Sequence, residues 1–528
     1  LYISKAKKRV AELLAEDGSL PGWDGAALVG ESRPTDQIVK FFEKGDRPLE
    51  FVPTRQWFIR TMEHKEALLA QGDKIQWHPA HMKTRYTHWV EGLNQDWCIS
   101  RQRYFGVPFP VWYVVGDDGE PDFAQPIYAE PSALPVDPLT DAAPGYTEEE
   151  RDRPGGFTAE PDVMDTWATS SLTPQIQSHW GLDPERHAKL FPMDIRPQAH
   201  DIIRTWAFST IVKAWMHERE IPWHHVVLSG WILDPDRKKM SKSKGNVVTP
   251  DDLLVEWSSD AVRYWAARAR LGTDTAFDPG VFKVGKRLAT KIFNASRFVF
   301  MQLDRAAGEV PGPEHIADSL DLAMIERLRG VIDQATRALE IFDYATAMQV
   351  VEESFWQFCD HYLELVKLRS YSDDDTPERR SALAALGLGL NAYLRLLAPF
   401  MPFVTEEVWS WRFAGEGRAK SVHTSPWPTE AELEAVPKPE FGHSFELAVE
   451  VMTAIRGAKT VAQKSLRWPV ASLVIAGAEA DREALQPVIE DVLRAGVVDP
   501  DGLELTDGDP TEGQHFAITV TLGDEQEG

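Results

Sequence analysis

The 528-residue sequence contains little cysteine: only Cys98 and Cys359 are present, far apart along the chain. Two distant cysteines provide neither a disulfide framework nor a CxxC zinc site, so we predict a reducing, cytoplasmic compartment and no protein-bound zinc. Long apolar runs are also absent. The most apolar stretch, residues 386–404, is interrupted by Asn391, Arg395 and two prolines. This interruption argues against a membrane-spanning helix and against a membrane partner.

Basic residues are also in deficit, because 56 Lys and Arg face 82 Asp and Glu, for a formal net charge of −26. Such a charge excludes indiscriminate binding to polyanions, so any nucleic-acid contact is expected at local basic patches. The composition, 43% hydrophobic and 26% charged, is typical of a globular protein. The length predicts three or four domains.

Hydrophobic periodicity predicts alternating strands and helices from residue 49 to about residue 280. Within this region, residues 226–233 (VVLSGWIL) are predicted to form a buried strand, and residues 251–269 a helix. Residues 116–156 are acidic and rich in Pro and Gly. Their composition predicts an exposed insertion or connector without a catalytic role.

A mostly helical region is predicted from residue 283 to about residue 411. Its apolar residues recur every three or four positions and form three stripes, which predict the core of a helical bundle. The stripes are Leu322, Ile325, Leu328 and Ile332; Ala347, Val351, Phe355, Phe358, Tyr362 and Leu365; and Leu383, Leu386, Leu390, Tyr393 and Leu397.

Smaller elements are predicted near both ends of the sequence. Residues 3–18 predict a helix closed by Gly18, and residues 36–45 a strand-like tail. At the other end, a helix over residues 445–459 and strands over residues 472–477 and 516–522 predict a small α/β appendage.

The stretch RKKMSKSKGN, residues 237–246, combines Arg237 with four lysines and no acid. A lysine-rich loop is commonly a solvated surface, and this one lacks the glycine spacing of a Walker A loop. However, it follows the predicted strand 226–233 directly, and Gly245-Asn246 provides a turn before a helix that starts near Pro250. Mobile ammonium groups in this position suit a polyphosphate whose charge shifts during a reaction.

Residues 239–243 match the KMSKS signature letter for letter and so resemble the class I aminoacyl-tRNA synthetases. Four further segments resemble the valine, isoleucine and leucine branch of that family, in the expected order. They are DWCISRQRYFGVPFPVWY (96–113), DVMDTWATSSL (162–172), RPQAHDIIRTWAFST (196–210) and APFMPFVTEEVW (398–409). Within this branch, EKGDRPLEFVPTRQWFIR (43–60) and AHDII (199–203) are most similar to the valine-specific members.

The resemblance implies roles for individual residues. Lys242, assisted by Lys239, would stabilise the pyrophosphate leaving group, and Ser241, Ser243 and His200 would join them in binding ATP. Asp201 would anchor the substrate ammonium, while Ile202 and Trp167 would form the wall of the side-chain pocket, a physically reasonable small apolar slot. From the residues alone, Trp167 could be ordinary core, Asp201 a helix N-cap and His200 a structural histidine.

Two basic patches are candidates for tRNA contact. Lys283, Arg287 and Lys291 lie along one face of an acid-free helix, although a solvated helix face is the plain alternative. The second, weaker patch combines Arg456, Lys459, Lys464 and Arg467 with Trp468.

The HxGH-type motif that the family pairs with KMSKS is not found in these residues, nor are editing-site motifs. We therefore expect a piece of a longer protein, unable to activate an amino acid alone. The resemblance predicts an α/β nucleotide-binding catalytic part of Rossmann-like class I type, an all-α anticodon-binding bundle and the α/β appendage. The predicted regions are 1–48 (editing-insertion tail and linker), 49–282 (second part of the catalytic domain, with insertion 116–156 and loop 237–248), 283–430 (anticodon-binding) and 431–528 (appendage).

The predicted function is ligation of valine to its tRNA through an adenylate, with ATP and Mg²⁺ as co-reactants, by a monomer. The alternatives are an isoleucine-specific synthetase, a non-catalytic tRNA-binding module of synthetase origin and, more remotely, a nucleotidylyltransferase that shares the catalytic loop.

Overall fold

The computed structural model describes residues 53–240, 245–305, 310–415 and 419–524, together with residues 3–18, 22, 24–28, 30, 31, 33, 39–41, 48 and 49. The chain divides into two compact units, Leu1–Trp57 and Phe58–Gly528.

In the first unit, helix α1 spans Ile3–Leu14, so the helix predicted over residues 3–18 is confirmed but ends earlier. Gly18 follows with φ of +70°, a left-handed conformation that glycine adopts without steric cost. The N–H of Leu28 donates to the C=O of Leu14 at 2.7 Å and closes the turn. Most of the strand-like tail predicted over residues 36–45 lies outside the described residues.

The first part of the second unit mixes strands and helices. In chain order they are β1 (Phe58–Ile59), α2 (Lys65–Lys74), β2 (Gln76–His78), α3 (Lys83–Glu91), β3 (Trp97–Cys98), β4 (Ser100–Arg101), β5 (Val111–Val115), β6 (Pro121–Tyr128), β7 (Phe157–Ala159), β8 (Val163–Met164), α4 (Thr166–Ser170), α5 (Thr173–Ser178), α6 (Pro184–Leu190), β9 (Met193–Ala199), α7 (Phe208–Glu218), β10 (Trp223–Ser229), β11 (Ile232–Leu233), α8 (Pro250–Trp257), α9 (Ser259–Ala267) and β12 (Thr275–Ala276).

A three-stranded parallel sheet with strand order β2-β10-β9 forms the centre of this part. Val226 of β10 lies opposite Trp77 on β2 and Arg196 on β9. Val226 and Leu228 are fully buried and pack in one core with residues of α2, α3 and α7. The apolar character of residues 226–229 therefore reflects a central strand covered by helices.

The strand predicted over residues 226–233 is interrupted at Gly230. A Cβ atom at this position would lie 2.2 Å from the carbonyl oxygen of Thr273, so only glycine allows the two backbones to approach so closely. β11 then forms a separate short parallel pair with β12, with Ile232 opposite Thr275.

Most residues of the segment 116–156 are exposed, as their composition predicts, but the segment is more than a connector. It supplies β6 to the antiparallel sheet β6-β5-β7 and folds back over it. Trp112, Ala143 and Phe157 form a small separate core, and Trp112 Nε1 donates to the carbonyl of Asp141 at 3.0 Å. The composition did not reveal this core, because acidic residues occupy the outer surface, while a few apolar residues are sufficient to form the core.

The second part of this unit is helical and ends in a small sheet. It contains α10 (Pro279–Asp304), α11 (Ser319–Glu340), α12 (Tyr344–Gln357), α13 (Leu363–Leu365), α14 (Lys367–Tyr371), α15 (Pro377–Leu397), α16 (Pro402–Arg412), α17 (Ser444–Val461), β13 (Val470–Gly477), α18 (Glu479–Leu485), α19 (Ile489–Gly496), β14 (Leu503–Asp507) and β15 (Phe516–Leu522).

The three predicted apolar stripes lie on α11, on α12–α13 and on α15, and they contribute to one large core. All of their residues are buried except Leu322, which is partly exposed. A π-helical turn at Phe358–Tyr362 separates α12 from α13. The mixed three- and four-residue spacing of the second stripe, typical of one helical face, continues through this turn.

The single helix predicted over residues 251–269 is two helices, because Ser258 between α8 and α9 has φ of +82°. After this break, the buried carboxylate of Asp260 accepts the N–H groups of Phe403 and Val404 at 3.1 and 2.8 Å. A tertiary contact with the start of α16 thus overrides the helical pattern of the sequence.

The predicted appendage is confirmed as a three-stranded sheet with strand order β14-β13-β15, covered by α17. Its buried residues Leu473 and Phe516 belong to the same core as the helical bundle. Lys459, predicted to lie in a basic patch, is only 1% exposed and donates to the carbonyls of Leu466 and Gly496. Burial lowers its pKa, so this part of the patch prediction was wrong.

No helix in the described ranges is both long and apolar enough to cross a lipid bilayer.

A buried ion cluster links the bundle to the appendage. The side chain of Arg369, 5% exposed, donates to Asp321 on α11 at 3.0 Å and to Asp491 on α19 at 2.9 Å. Asp318 lies 3.2 Å from the same guanidinium, and burial raises its pKa to about 6. One cation therefore compensates three carboxylates, two of which are almost fully buried.

We use 'the whole protein' for the complete translation product that contains these residues. We predict that Arg369→Met lowers its free energy of unfolding by about 3–5 kcal/mol at pH 7.5, because the change leaves buried carboxylates unpaired. The measurement is urea-induced unfolding. When the pKa of a carboxylate is higher in the folded state than in the unfolded state, its protonation favours folding as pH falls through the folded pKa. The stability difference between the variant and the original protein should therefore be smaller near pH 5.

The matched control is Arg337→Met, which removes a guanidinium that is 76% exposed and paired with Asp333 within one helix. This change should cost less than about 1 kcal/mol. Equal losses in the two variants would show that the cluster does not have the proposed structural importance.

Candidate active site

The candidate site lies at the carboxyl ends of β9 and β10. Because these neighbouring strands are parallel, the segments that follow them leave the sheet at the same edge. β9 is followed by a 3₁₀ turn at His200–Ile202 and a π-helical turn at Ile203–Ala207. β10 is followed by Gly230 and Trp231 and then by the predicted catalytic loop.

Asp201 and Lys239, both selected from the sequence, lie next to each other. The Lys239 ammonium is 3.5 Å from Asp201 Oδ2, and the side chains are 48% and 41% exposed. Asp201 lies within the 3₁₀ turn and makes no capping hydrogen bond, so the N-cap alternative is wrong. Its carboxylate instead faces the segment that leads into the loop.

Trp167 and Ile202, the predicted walls of the side-chain pocket, are both half-buried. Trp167 lies on α4, which packs against the π-helical turn that follows Ile202. Trp206 fixes this contact, since its Nε1 donates to the carbonyl of Ser170 on α4 at 3.1 Å.

Trp206 was not selected from the sequence, where it is one of 19 tryptophans. Trp206 also makes a cation–π contact, because the guanidinium carbon of Arg196 lies 3.1 Å from the centre of the Trp206 ring. Burial lowers the pKa of Arg196 to about 10. The spacing Ile202-x₃-Trp206, which places both on neighbouring turns, is the sequence signal that could have identified it.

His200 is 5% exposed, and its Nδ1 lies 2.6 Å from Nη1 of Arg85, so Nδ1 accepts this hydrogen bond. Burial, reinforced by the Arg85 charge, lowers the pKa of His200, and the ring is neutral at pH 7. The imidazole also packs on the indole of Trp231 with ring centroids 4.7 Å apart. These contacts agree with a structural role, and contact with ATP stays a prediction.

Lys242, Ser241 and Ser243 lie outside the described residues, which resume at Gly245 after Met240. Asp234 joins the segments on either side of them: it accepts the N–H of Lys238 at 2.8 Å and Nδ2 of Asn246 at 2.7 Å. The hydrogen bond from Asn246 is the main cause of the lowered pKa of Asp234. A single carboxylate thus holds the start and the end of the loop together.

The basic face of α10 is only partly free. Lys283 and Arg287 are exposed, whereas Lys291 pairs with Asp360 at 2.5 Å. This partner comes from the π-helical turn of another helix, so sequence spacing along α10 could not reveal it. The net positive charge of the face is therefore smaller than predicted.

Within the part of the chain that the structure describes, no three His, Cys, Asp or Glu side chains are arranged to hold a metal ion.

Comparison with known families gives two matches. Residues 7–278 match the sequence model of the tRNA synthetases class I (I, L, M and V), and residues 321–475 match that of the anticodon-binding domain of tRNA ligase. The chain belongs to the class I tRNA synthetases. The fold class predicted from the class I signatures is therefore confirmed.

Among curated relatives of this class I chain are two named valine–tRNA ligase. The protein of Salinispora tropica is 51% identical over 511 residues, which cover 93% of this chain and 58% of the relative. The protein of Thermobifida fusca is 50% identical over 513 residues, which cover 96% of this chain and 56% of the relative. The chain thus spans somewhat more than half the length of these relatives.

Solved class I synthetases share the fold at low sequence identity. A Mycobacterium tuberculosis methionyl-tRNA synthetase bound by methionyl-adenylate matches 70% of this chain and 65% of its own, with TM-score 0.51 and 19% identity. A LeuRS of Agrobacterium radiobacter K84, in a ternary complex with tRNA and LeuAMS, matches 66% of this chain and 45% of its own, with TM-score 0.50 and 22% identity.

We predict that Asp234→Ala increases hydrogen exchange at the backbone amide of Lys238 by at least about tenfold, because the amide loses its acceptor. Hydrogen exchange of the whole protein, read by mass spectrometry on peptides that cover residues 235–246, is the measurement. Asp234→Asn keeps an acceptor oxygen and serves as the control, with exchange near that of the original protein. Unchanged exchange in the alanine variant would contradict this role.

Proposed function

We propose that the whole protein is a cytoplasmic, monomeric valine–tRNA ligase that forms valyl-adenylate from valine and ATP and transfers the valyl group to tRNA for valine. The observation that carries this proposal is the meeting of Asp201 and Lys239 at the carboxyl-end edge of the parallel sheet. One side chain is suited to an amino-acid ammonium, and the other belongs to a loop suited to polyphosphate.

In the proposed site, Asp201 binds the α-ammonium of valine, and Ile202, Trp167 and Trp206 border the slot for its side chain. A β-branched residue and two indoles leave little apolar space, which favours a small aliphatic side chain. The same kind of pocket discriminates poorly against an isosteric hydroxyl group, so hydrolysis of mischarged product elsewhere in the whole protein is consistent with it.

ATP is proposed to bind with Mg²⁺ on its phosphates and with Lys239, Ser241, Lys242 and Ser243 around them. Oxygen ligands from a polyphosphate are sufficient to hold Mg²⁺ with few protein groups. Adenylate formation needs no side-chain nucleophile, since the valine carboxylate attacks the α-phosphate and pyrophosphate leaves. Catalysis then consists of positioning and of stabilising the charge that develops on the leaving group, the role of Lys242.

The sequence has no HxGH motif, so further phosphate-binding groups are proposed to come from residues outside these 528. Two features of β9 support this proposal. β9 is an edge strand of the parallel sheet within the described residues. Gln198 on β9 is 8% exposed, and neither polar atom of its carboxamide has a hydrogen-bond partner there. Buried polar groups are rarely left unpaired in a complete fold.

The proposed tRNA surface includes Lys283 and Arg287 on α10, with Lys291 contributing only if Asp360 is displaced. An acid-free stretch on a chain with a net charge of −26 favours contact with phosphates. The match of residues 321–475 to an anticodon-binding domain supports extending the proposed tRNA surface onto the adjoining bundle.

The test is amino-acid-dependent exchange of labelled pyrophosphate into ATP by the whole protein. We predict that kcat/KM for valine exceeds that for isoleucine by at least about tenfold, since one methylene in an apolar pocket changes binding by about 1–3 kcal/mol. Lys242→Ala should lower kcat about a hundredfold and change the KM for valine less than about threefold, because the lysine acts on the leaving group.

Lys238→Ala is the control, since this neighbouring lysine is 68% exposed and its ammonium pairs with Asp236 alone among the described residues. It should retain nearly full exchange activity. Preference for isoleucine would favour the isoleucine-specific alternative. Binding of tRNA without any exchange would favour a non-catalytic tRNA-binding module, and either result would overturn the proposal.

A further inference from the structure

Lys239 is held in place by contacts both within the catalytic loop and outside it. Its backbone forms a bridge with Leu233, and its carbonyl accepts Nδ2 of Asn246 at 3.3 Å. Its ammonium lies 4.2 Å from the centre of the Trp231 ring, as well as 3.5 Å from Asp201. An ammonium over an indole face is stabilised by the negative potential of the ring, so Trp231 helps to determine where this charge lies.

Trp231 also contacts the segment that carries Asp201. On this side the indole packs against His200, the residue that precedes Asp201, with ring centroids 4.7 Å apart. The backbone N–H of Trp231 donates to Asp274 at 2.8 Å, and this hydrogen bond fixes the backbone from which the indole extends. Its indole Nε1 is buried and has no hydrogen-bond partner among the described residues. Trp231 therefore connects the lysine of the loop with the turn that carries the carboxylate.

The contacts of the Lys239–Asp201 ion pair allow another ammonium group to replace that of Lys239. Both side chains are about half exposed, and exposed pairs of this kind contribute little to stability, so replacement of one ammonium by another has a low cost. An amino-acid substrate brings an ammonium of its own to Asp201. Two cations at one carboxylate repel each other, so the arriving group weakens the contact of Lys239.

We propose that Trp231 is a positioning residue, which holds Lys239 against Asp201 while the amino-acid site is empty, and that the ammonium of the amino acid displaces Lys239 toward the polyphosphate of ATP. This inference rests on the proposed function. It adds a physical link between the two substrates: occupation of Asp201 makes one more cation available to ATP. By thermodynamic reciprocity, ATP must strengthen amino-acid binding by the same factor.

The test uses valinol, which has the ammonium and side chain of valine but no carboxylate and so cannot form an adenylate. The dissociation constant of ATP is measured by calorimetry on the whole protein, with and without saturating valinol. We expect valinol to tighten ATP binding at least about fivefold, the lower end of typical coupling between sites.

The coupling factor is the ratio of the ATP dissociation constants without and with valinol. In Trp231→Leu and Lys239→Met this factor should fall to near one while valinol still binds. Trp231→Phe, which keeps an aromatic face, should retain most of the coupling. Thermal unfolding midpoints identify any variant that fails to fold, in which case Lys239→Met and Trp231→Phe still test the link. No coupling in the original protein, or full coupling in Trp231→Leu or Lys239→Met, would overturn the inference. Failure of valinol to bind and absence of valine-dependent exchange would instead contradict the proposed function.

Discussion

The parallel pairing of β9 with β10 is the constraint on which the candidate site depends. Six residue pairs, from Trp223↔Met193 to Ser229↔Ala199, keep the two strands in register up to their carboxyl ends. Consequently the turn that carries Asp201 and the segment that leads to Lys239 leave the sheet side by side. The buried residues Val226 and Leu228 keep β10 between its neighbours, so hydrophobic packing stabilises the edge of the sheet from which both segments leave.

Stability and chemistry are carried by different kinds of electrostatic contact in this protein. The side chains of Arg369, Asp321 and Asp491 are buried and shielded from solvent, and the guanidinium donates hydrogen bonds to both carboxylates. Lys239 and Asp201 are exposed and joined by one long contact. A buried network fixes one arrangement, whereas an exposed pair can be remade at little cost when a ligand arrives. The first type suits the joint between bundle and appendage, and the second suits the proposed replacement of one ammonium group by another.

Much of the fold follows from local sequence patterns. The apolar stripes of the bundle and the central strand β10 were predicted because periodicity reports directly which face is buried. The small core beneath segment 116–156, the break at Ser258 and the burial of Lys459 were missed because each depends on contacts with residues distant in sequence. Composition describes the surface of residues 116–156 well but does not reveal the small core around Trp112.

The candidate site was predictable where the residues lie in segments that resemble a family and not where their role is to position another group. The signature around Lys239 and the carboxylate of Asp201 were identified from the sequence, and the structure brings them within 3.5 Å. Trp206 and Trp231 were not identified, because an indole that orients a helix or an ammonium resembles any other half-buried tryptophan. The pairing of Lys291 with Asp360 likewise could not be predicted from the spacing of residues along one helix.

The central claim is that one ligand joins the carboxylate after β9 to the loop after β10. A crystal structure of the whole protein with a sulfamoyl analogue of valyl-adenylate tests it most directly. The account predicts the valyl ammonium within hydrogen-bonding distance of the Asp201 carboxylate, about 3 Å, and the sulfamoyl group on the side of the KMSKS loop. A valyl group bound elsewhere, with Asp201 still paired to Lys239, would contradict it.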